Sequence, residues 1–234
     1  VRSDHPWLLF GSALVLAILT ACGGDDSVFG PAAGQGNYEG SFESDGVRRS
    51  YFVHTPPAWG PGASLPLLIG LHGVPSSGQH LRALTDLDDF ADQYGYVVVY
   101  PNSVFTDWAV GCDCTQAEFE GVSDVRFVQK LIGELQNQLG IDPSRVFVAG
   151  YSQGALMAHK LACDIPGQLA GAASVAATML APVADQCSPP RPVPMLFFHG
   201  TEDQQFPPEG RSELNVSSIS IGESLATWGQ INGC

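Results

Sequence analysis

Residues 145–163 read RVFVAGYSQGALMAHKLAC, and this stretch decides the fold. Residues 145–149 (RVFVA) have the β-branched and aromatic side chains of a buried strand, and 155–163 read as a helix. Between them stands Gly150-Tyr151-Ser152-Gln153-Gly154, a G-x-S-x-G pattern placed where an apolar strand stops and a helix begins. That is the setting of a nucleophile elbow. A serine there sits on a sharp, strained turn with its hydroxyl above the carboxyl edge of a sheet. The helix dipole behind it favours developing negative charge. The glycines two residues to either side let neighbouring backbone pass close. Ser152 is therefore the expected nucleophile. The competing reading, a Gly-rich turn with an idle serine, does not account for the strand–helix context.

Working outward, the chain alternates strand and helix. Upstream, residues 49–54 (RSYFVH), 66–71 (PLLIGL) and 96–100 (YVVVY) read as strands, and 84–94 as a helix with Leu84, Leu87 and Phe90 at helical spacing. The clearest helix is 122–139, where Val125, Val128, Leu131, Ile132 and Leu135 form one stripe that Gly140 ends. Downstream, 169–175 and 195–199 (MLFFH) read as strands and 221–231 as a last helix. Continuous apolar strands separated by helices predict an α/β domain, a mostly parallel sheet covered on both faces. It is expected to run from residue 38 to residue 234 as one domain.

Two loops supply the rest of a candidate site. Residues 71–78 (LHGVPSSG) follow an early strand, where the second half of an oxyanion hole belongs. One backbone donor is expected from Gln153. Pro75 has no N–H, so Val74 is the expected second donor. His72 precedes the serine and ends a core strand, which suits a structural role. Residues 198–203 (FHGTED) follow the last apolar strand, and Asp203, ahead of Glu202, is the expected acid of a Ser…Asp…His order. A solvated acidic loop is the plainer alternative there. No metal or other cofactor is expected, since Cys112-x-Cys114 has no second Cys/His pair and no His-x-x-x-His spacing occurs.

The chain has 234 residues, 44 % of them hydrophobic and 15 % charged, which excludes a disordered polyelectrolyte. With 10 Lys+Arg against 24 Asp+Glu, its formal charge of −14 repels phosphate backbones and excludes nucleic acid as a partner. Residues 7–21 (WLLFGSALVLAILTA) suit the apolar part of an export signal. The run ends at Leu19-Thr20-Ala21-Cys22, which resembles the lipobox of bacterial lipoproteins. The expected organisation is a signal over 1–21, lipidation at Cys22, a flexible tether over 22–37 and the domain beyond. The protein would then be exported, in the cell envelope or outside the cell, touching membrane only through its lipid. An oxidising compartment favours disulfides for Cys112, Cys114, Cys163, Cys187 and Cys234, an odd number that leaves one unpaired. Their spacing leaves the connectivity open.

Several motifs together carry a family resemblance. Ile141-Asp142-Pro143-Ser144-Arg145-Val146 followed by GYSQGALMAHKLAC is similar to the polyhydroxybutyrate depolymerase and feruloyl esterase group of secreted α/β-hydrolases. So are Trp108 with Cys112 and Cys114, the following DVRFVQKLI, and PVPMLFFHGTEDQQFP. The resemblance runs from about Tyr51 to Cys234 and implies an α/β-hydrolase fold. It implies a serine esterase with Ser152 as nucleophile and Asp203 as triad acid, acting on a small or polymeric ester of hydroxyalkanoate or hydroxycinnamate type. Trp108 would either border the site or serve as a core residue. That family carries its catalytic histidine beyond the Asn-Gly-Cys found here as Asn232-Gly233-Cys234. None of the six histidines follows Asp203, and His199 and His159 are poorly placed to reach the serine. The expectation is a chain cut short before its histidine loop and last strand, inactive in this form. A non-catalytic surface lipoprotein that binds a small ligand or polysaccharide is the alternative.

Overall fold

The computed structural model describes residues 36–213 and 216–234 of the protein. The expected signal, Cys22 and most of the tether lie outside the described residues. Strands β1 (Gly36–Ser44) and β2 (Val47–Thr55) pair antiparallel over nine residues, from Gly36 opposite Thr55 to Ser44 opposite Val47. Asp45 and Gly46 join them with φ of 56° and 78°. Two consecutive positive φ values give a tight hairpin turn that matches strand twist, and Asp-Gly is a pair that tolerates them. Gly36 and Asn37 thus belong to a strand and not to the tether. Pairing with β2 orders a segment whose Gly and polar residues gave no strand signal.

The other strands are β3 (Leu65–Leu71), β4 (Val97–Pro101), β5 (Ile141–Tyr151), β6 (Gly171–Val175) and β7 (Met195–Phe198). The sheet order is β1-β2-β4-β3-β5-β6-β7. Its first two pairings are antiparallel and all others parallel. Parallel pairing needs crossovers, and the helices provide them. These include α1 (Gly78–Leu84), α2 (Leu87–Tyr94), α3 (Gln116–Phe119), α4 (Asp124–Leu139) and α5 (Gln153–Asp164). The chain closes with α6 (Ala181–Gln186), a short hairpin of β8 (Arg211–Glu213) and β9 (Val216–Ser218), and α7 (Ile221–Asn232). The helix expected over 84–94 is α2, which begins at Leu87, and α1, which ends at Leu84, is a further helix before it. Ser77 caps α1, and Thr85 and Asp86 separate it from α2.

Helices flank the sheet on both faces. On one face, Leu67, Ile69, Leu71, Val97, Val99, Val146 and Val148 pack with α4, α5 and Trp228 of α7 in the main core. On the other, Val98 and Tyr100 pack with Leu81 of α1 and Ala91 of α2. The carboxyl ends of β3 and β5 lie side by side, Leu71 pairing with Gly150. That register brings the 72–74 loop to the start of α5.

Candidate active site

Ser152 follows the last residue of β5 and caps α5, with φ +55° and ψ −122°. A non-glycine residue in this region is held there by its surroundings. Its N–H donates to the Val175 carbonyl of β6 at 2.9 Å, and Ala155 N–H donates to its carbonyl at 2.8 Å. The two flanking glycines are steric requirements. A Cβ on Gly150 would overlap the Gly154 carbonyl, and one on Gly154 would overlap the Leu71 carbonyl. The strain is thus imposed from both sides of the turn, as the sequence pattern predicted.

The hydroxyl-bearing turn faces a cleft of about 570 Å³ lined by Ser152, Gln153, Val74, His80, Cys112 and Phe206, among others. That is the size of a small-molecule site. Among the described residues neither the Val74 N–H nor the Gln153 N–H has a hydrogen-bond partner. Gln153 is the first residue of α5, where a helix leaves its N–H unsatisfied. Two unpaired backbone donors and a strained serine therefore share one cleft.

Asp203 is not itself in the cleft wall, but Gln205 and Phe206, which are, donate their N–H groups to its Oδ1 at 2.9 Å each. The carboxylate is thereby fixed, and its second oxygen stays available. His72 is structural, as expected. Its Nε2 accepts from Ser103 N–H at 3.1 Å, so its Nδ1–H donates to the Gly73 carbonyl at 2.7 Å. Burial lowers its pKa, although the Gly73 carbonyl and the Asp124 charge work against that. His199 Nε2 bonds the Phe206 carbonyl at 2.8 Å. His159 is fully buried and accepts from Trp228 Nε1 at 3.0 Å. His54 is held between Asn37 and Asp92, both at 2.8 Å. None of these described histidines bonds Ser152 or Asp203. His80, on α1, shares the cleft, although it precedes Asp203 and so falls outside the expected Ser…Asp…His order.

The cysteines pair as Cys112–Cys114 and Cys163–Cys187, leaving Cys234 free and exposed. Cys112 and Cys114 form one wall of the cleft, and Glu118 lies against them. With both sulfurs in a disulfide, this trio is no metal site. Burial raises the Glu118 pKa, but N–H groups of Cys114, Gly111, Thr115 and Cys112 more than offset it and hold the carboxylate below its usual range. Its role is to clamp the disulfide loop.

The sequence model of the Phospholipase/Carboxylesterase family matches residues 113–222. NocK of Nocardia uniformis subsp. tsuyamanensis, a protein named as an esterase, is 31 % identical over 179 residues, 76 % of this chain and 52 % of its own length. Feruloyl esterase B of Piromyces equi is 27 % identical over 197 residues, covering 80 % of this chain and 36 % of that enzyme. A solved structure of a thermostable esterase superposes with a TM-score of 0.58 at 18 % identity, over 83 % of this chain and 52 % of the other. The chain thus spans about half the length of the first relative and about a third of the second. Its sheet order, elbow and cleft have the architecture of the α/β-hydrolase fold, and the chain is similar at low identity to proteins named as a feruloyl esterase, an acetylxylan esterase and a poly(3-hydroxyalkanoate) depolymerase.

Proposed function

We propose that the protein is a serine carboxylic-ester hydrolase acting on hydroxyalkanoate or hydroxycinnamate esters. The observation that carries this reading is the juxtaposition of Ser152, at φ +55°, with the unpaired N–H groups of Gln153 and Val74. Ser152 Oγ attacks the ester carbonyl carbon while an imidazole base takes its proton. The carbonyl π electrons move onto oxygen, where the two backbone donors stabilise the charge. Collapse breaks the bond to the alcohol, which leaves with the proton from the imidazolium. Water then repeats the sequence on the acyl-Ser152 and releases the acid.

In this reading Asp203 orients the base, a histidine from outside the described residues. The commitment of His54, His72, His159 and His199 to other partners supports that placement against every described histidine except His80, which lines the cleft. The absence of any imidazole bonded to Ser152 among the described residues equally suits the non-catalytic binding alternative. One experiment separates them. The protein at its natural length should hydrolyse a p-nitrophenyl short-chain ester, and Ser152→Ala should abolish this with the circular dichroism unchanged. Turnover that survives the substitution removes Ser152 from the mechanism, and no turnover in the parent leaves the binding reading. Residues 1–234 alone should be slower by several orders of magnitude than a form that carries such a histidine. Equal rates would move the base to His80. A lipid anchor at Cys22 belongs to the same proposal. Cys22→Ala should release from bacterial membranes a protein that otherwise partitions with them.

A further inference from the structure

We infer that Trp108 is a positioning residue that sets both halves of the oxyanion hole, an inference that rests on the esterase reading. Trp108 is fully buried, and its two N–H groups point to the two segments that supply the donors. Its backbone N–H donates to Gln153 Oε1 at 2.8 Å. Its indole Nε1–H donates to the His72 carbonyl, also at 2.8 Å, two residues before Val74. The His72 ring lies 4.8 Å from the indole, and its Nε2 accepts from Ser103 N–H. One residue thus ties the first residue of α5 to the loop after β3.

The brace is itself anchored. The next residue, Ala109, donates its N–H to Asp124 Oδ2 at 2.7 Å. Asp124 is paired with Arg49, and both are buried. The Arg49 guanidinium lies 3.8 Å from the centre of the Phe127 ring and donates to the Asn102 carbonyl at 3.2 Å. The segment from Asn102 to Ala109 is therefore held at both ends, with Trp108 at the end nearer the serine. Backbone donors stabilise an oxyanion only if their spacing is fixed before charge develops, since reorganisation would cost part of the gain. A tryptophan needed only to fill core would not direct both N–H groups to the two donor segments.

The test uses the protein at its natural length and two variants. Trp108→Phe keeps an aromatic ring and deletes the indole donor. Gln153→Ala keeps the backbone N–H and deletes the acceptor at the elbow. Each should lower kcat for a p-nitrophenyl ester by about 10- to 100-fold, short of the loss when an oxyanion donor itself is removed, with KM within about twofold. The Ki of phenylboronic acid, which forms a tetrahedral adduct on Ser152, should rise by a similar factor. A filling role alone would lower the melting temperature of Trp108→Phe while the folded protein kept its kcat and boronate affinity, and that result overturns the inference. So does a matching rise in KM, or normal kcat in Gln153→Ala. A parent protein with no hydrolysis, or hydrolysis that survives Ser152→Ala, instead overturns the esterase reading and this inference with it.

Discussion

His159 shows what a buried imidazole does when it is not part of the site. It lies on α5 at 0 % exposure, 5.5 Å from the Phe197 ring, and Trp228 Nε1 donates to its Nδ1. Nδ1 therefore carries no proton, and Nε2 has no partner. Desolvation by burial lowers its pKa to about 3. The unfolded chain takes up a proton near pH 6.5, whereas the folded protein does so only near 3. Stability that depends on the neutral ring is thus complete above about pH 6.5 and is lost as pH falls towards 3, by up to about 1.4 kcal/mol per pH unit. Urea midpoints should fall between pH 7 and 5. His159→Gln, which keeps an acceptor for Trp228, should flatten that slope. An unchanged slope would exclude His159 as its source.

At the scale of elements, the buried Arg49–Asp124 pair joins β2 to the first turn of α4 across 75 residues of sequence. Removing one member leaves a buried charge without its partner, at a cost of about 3–5 kcal/mol, whereas replacing both with apolar residues of similar volume costs much less. Asp124→Leu should therefore lower the denaturation midpoint strongly, and adding Arg49→Met should restore part of it. A double variant no more stable than the single one would show that the pair does not act as a unit. This contact also marks what the sequence could and could not reveal. Local patterns were legible: the stripe on α4, the stop at Gly140 and the elbow glycines all act within a few residues. The roles proposed for Ser152, Val74, Gln153 and Asp203 rest on such local loops. Non-local partners were not legible. β1 takes its order from β2, the three-residue strands β8 and β9 are too short to show a period, and Trp108 shows its two bonds only once the 72–74 loop and α5 stand beside it. The cysteine pairing likewise had to come from the fold.

At the scale of the whole molecule, the described residues cover the two faces of the sheet unequally. β5, β6 and β7 bury one face against the main core. On the other face Phe147, Tyr151, Leu196 and Phe198 are 38 %, 49 %, 63 % and 59 % exposed. The register makes them one surface: Tyr151 pairs with Val175, which pairs with Phe198, and Leu196 pairs with Ala173. Among the described residues β7 is also the last strand of the sheet order, so its outer backbone edge, unpaired there, borders this apolar face. Such a surface favours association, and an uncharged edge strand adds a pairing template. The formal charge of −14 opposes it, and salt decides which effect wins. At low ionic strength the repulsion between two such chains acts over roughly 30 Å, and at about 0.15 M it falls to roughly 8 Å, close to contact. The 234-residue chain should therefore bind an apolar dye such as ANS, and its sedimentation should shift to larger species as salt is raised. Leu196→Lys with Phe198→Thr, both on exposed positions of β7, should reduce dye binding and the salt effect while the far-ultraviolet circular dichroism stays the same. A monomer at all salt concentrations, without dye binding, would mean that this face is not available to solvent as the exposures indicate.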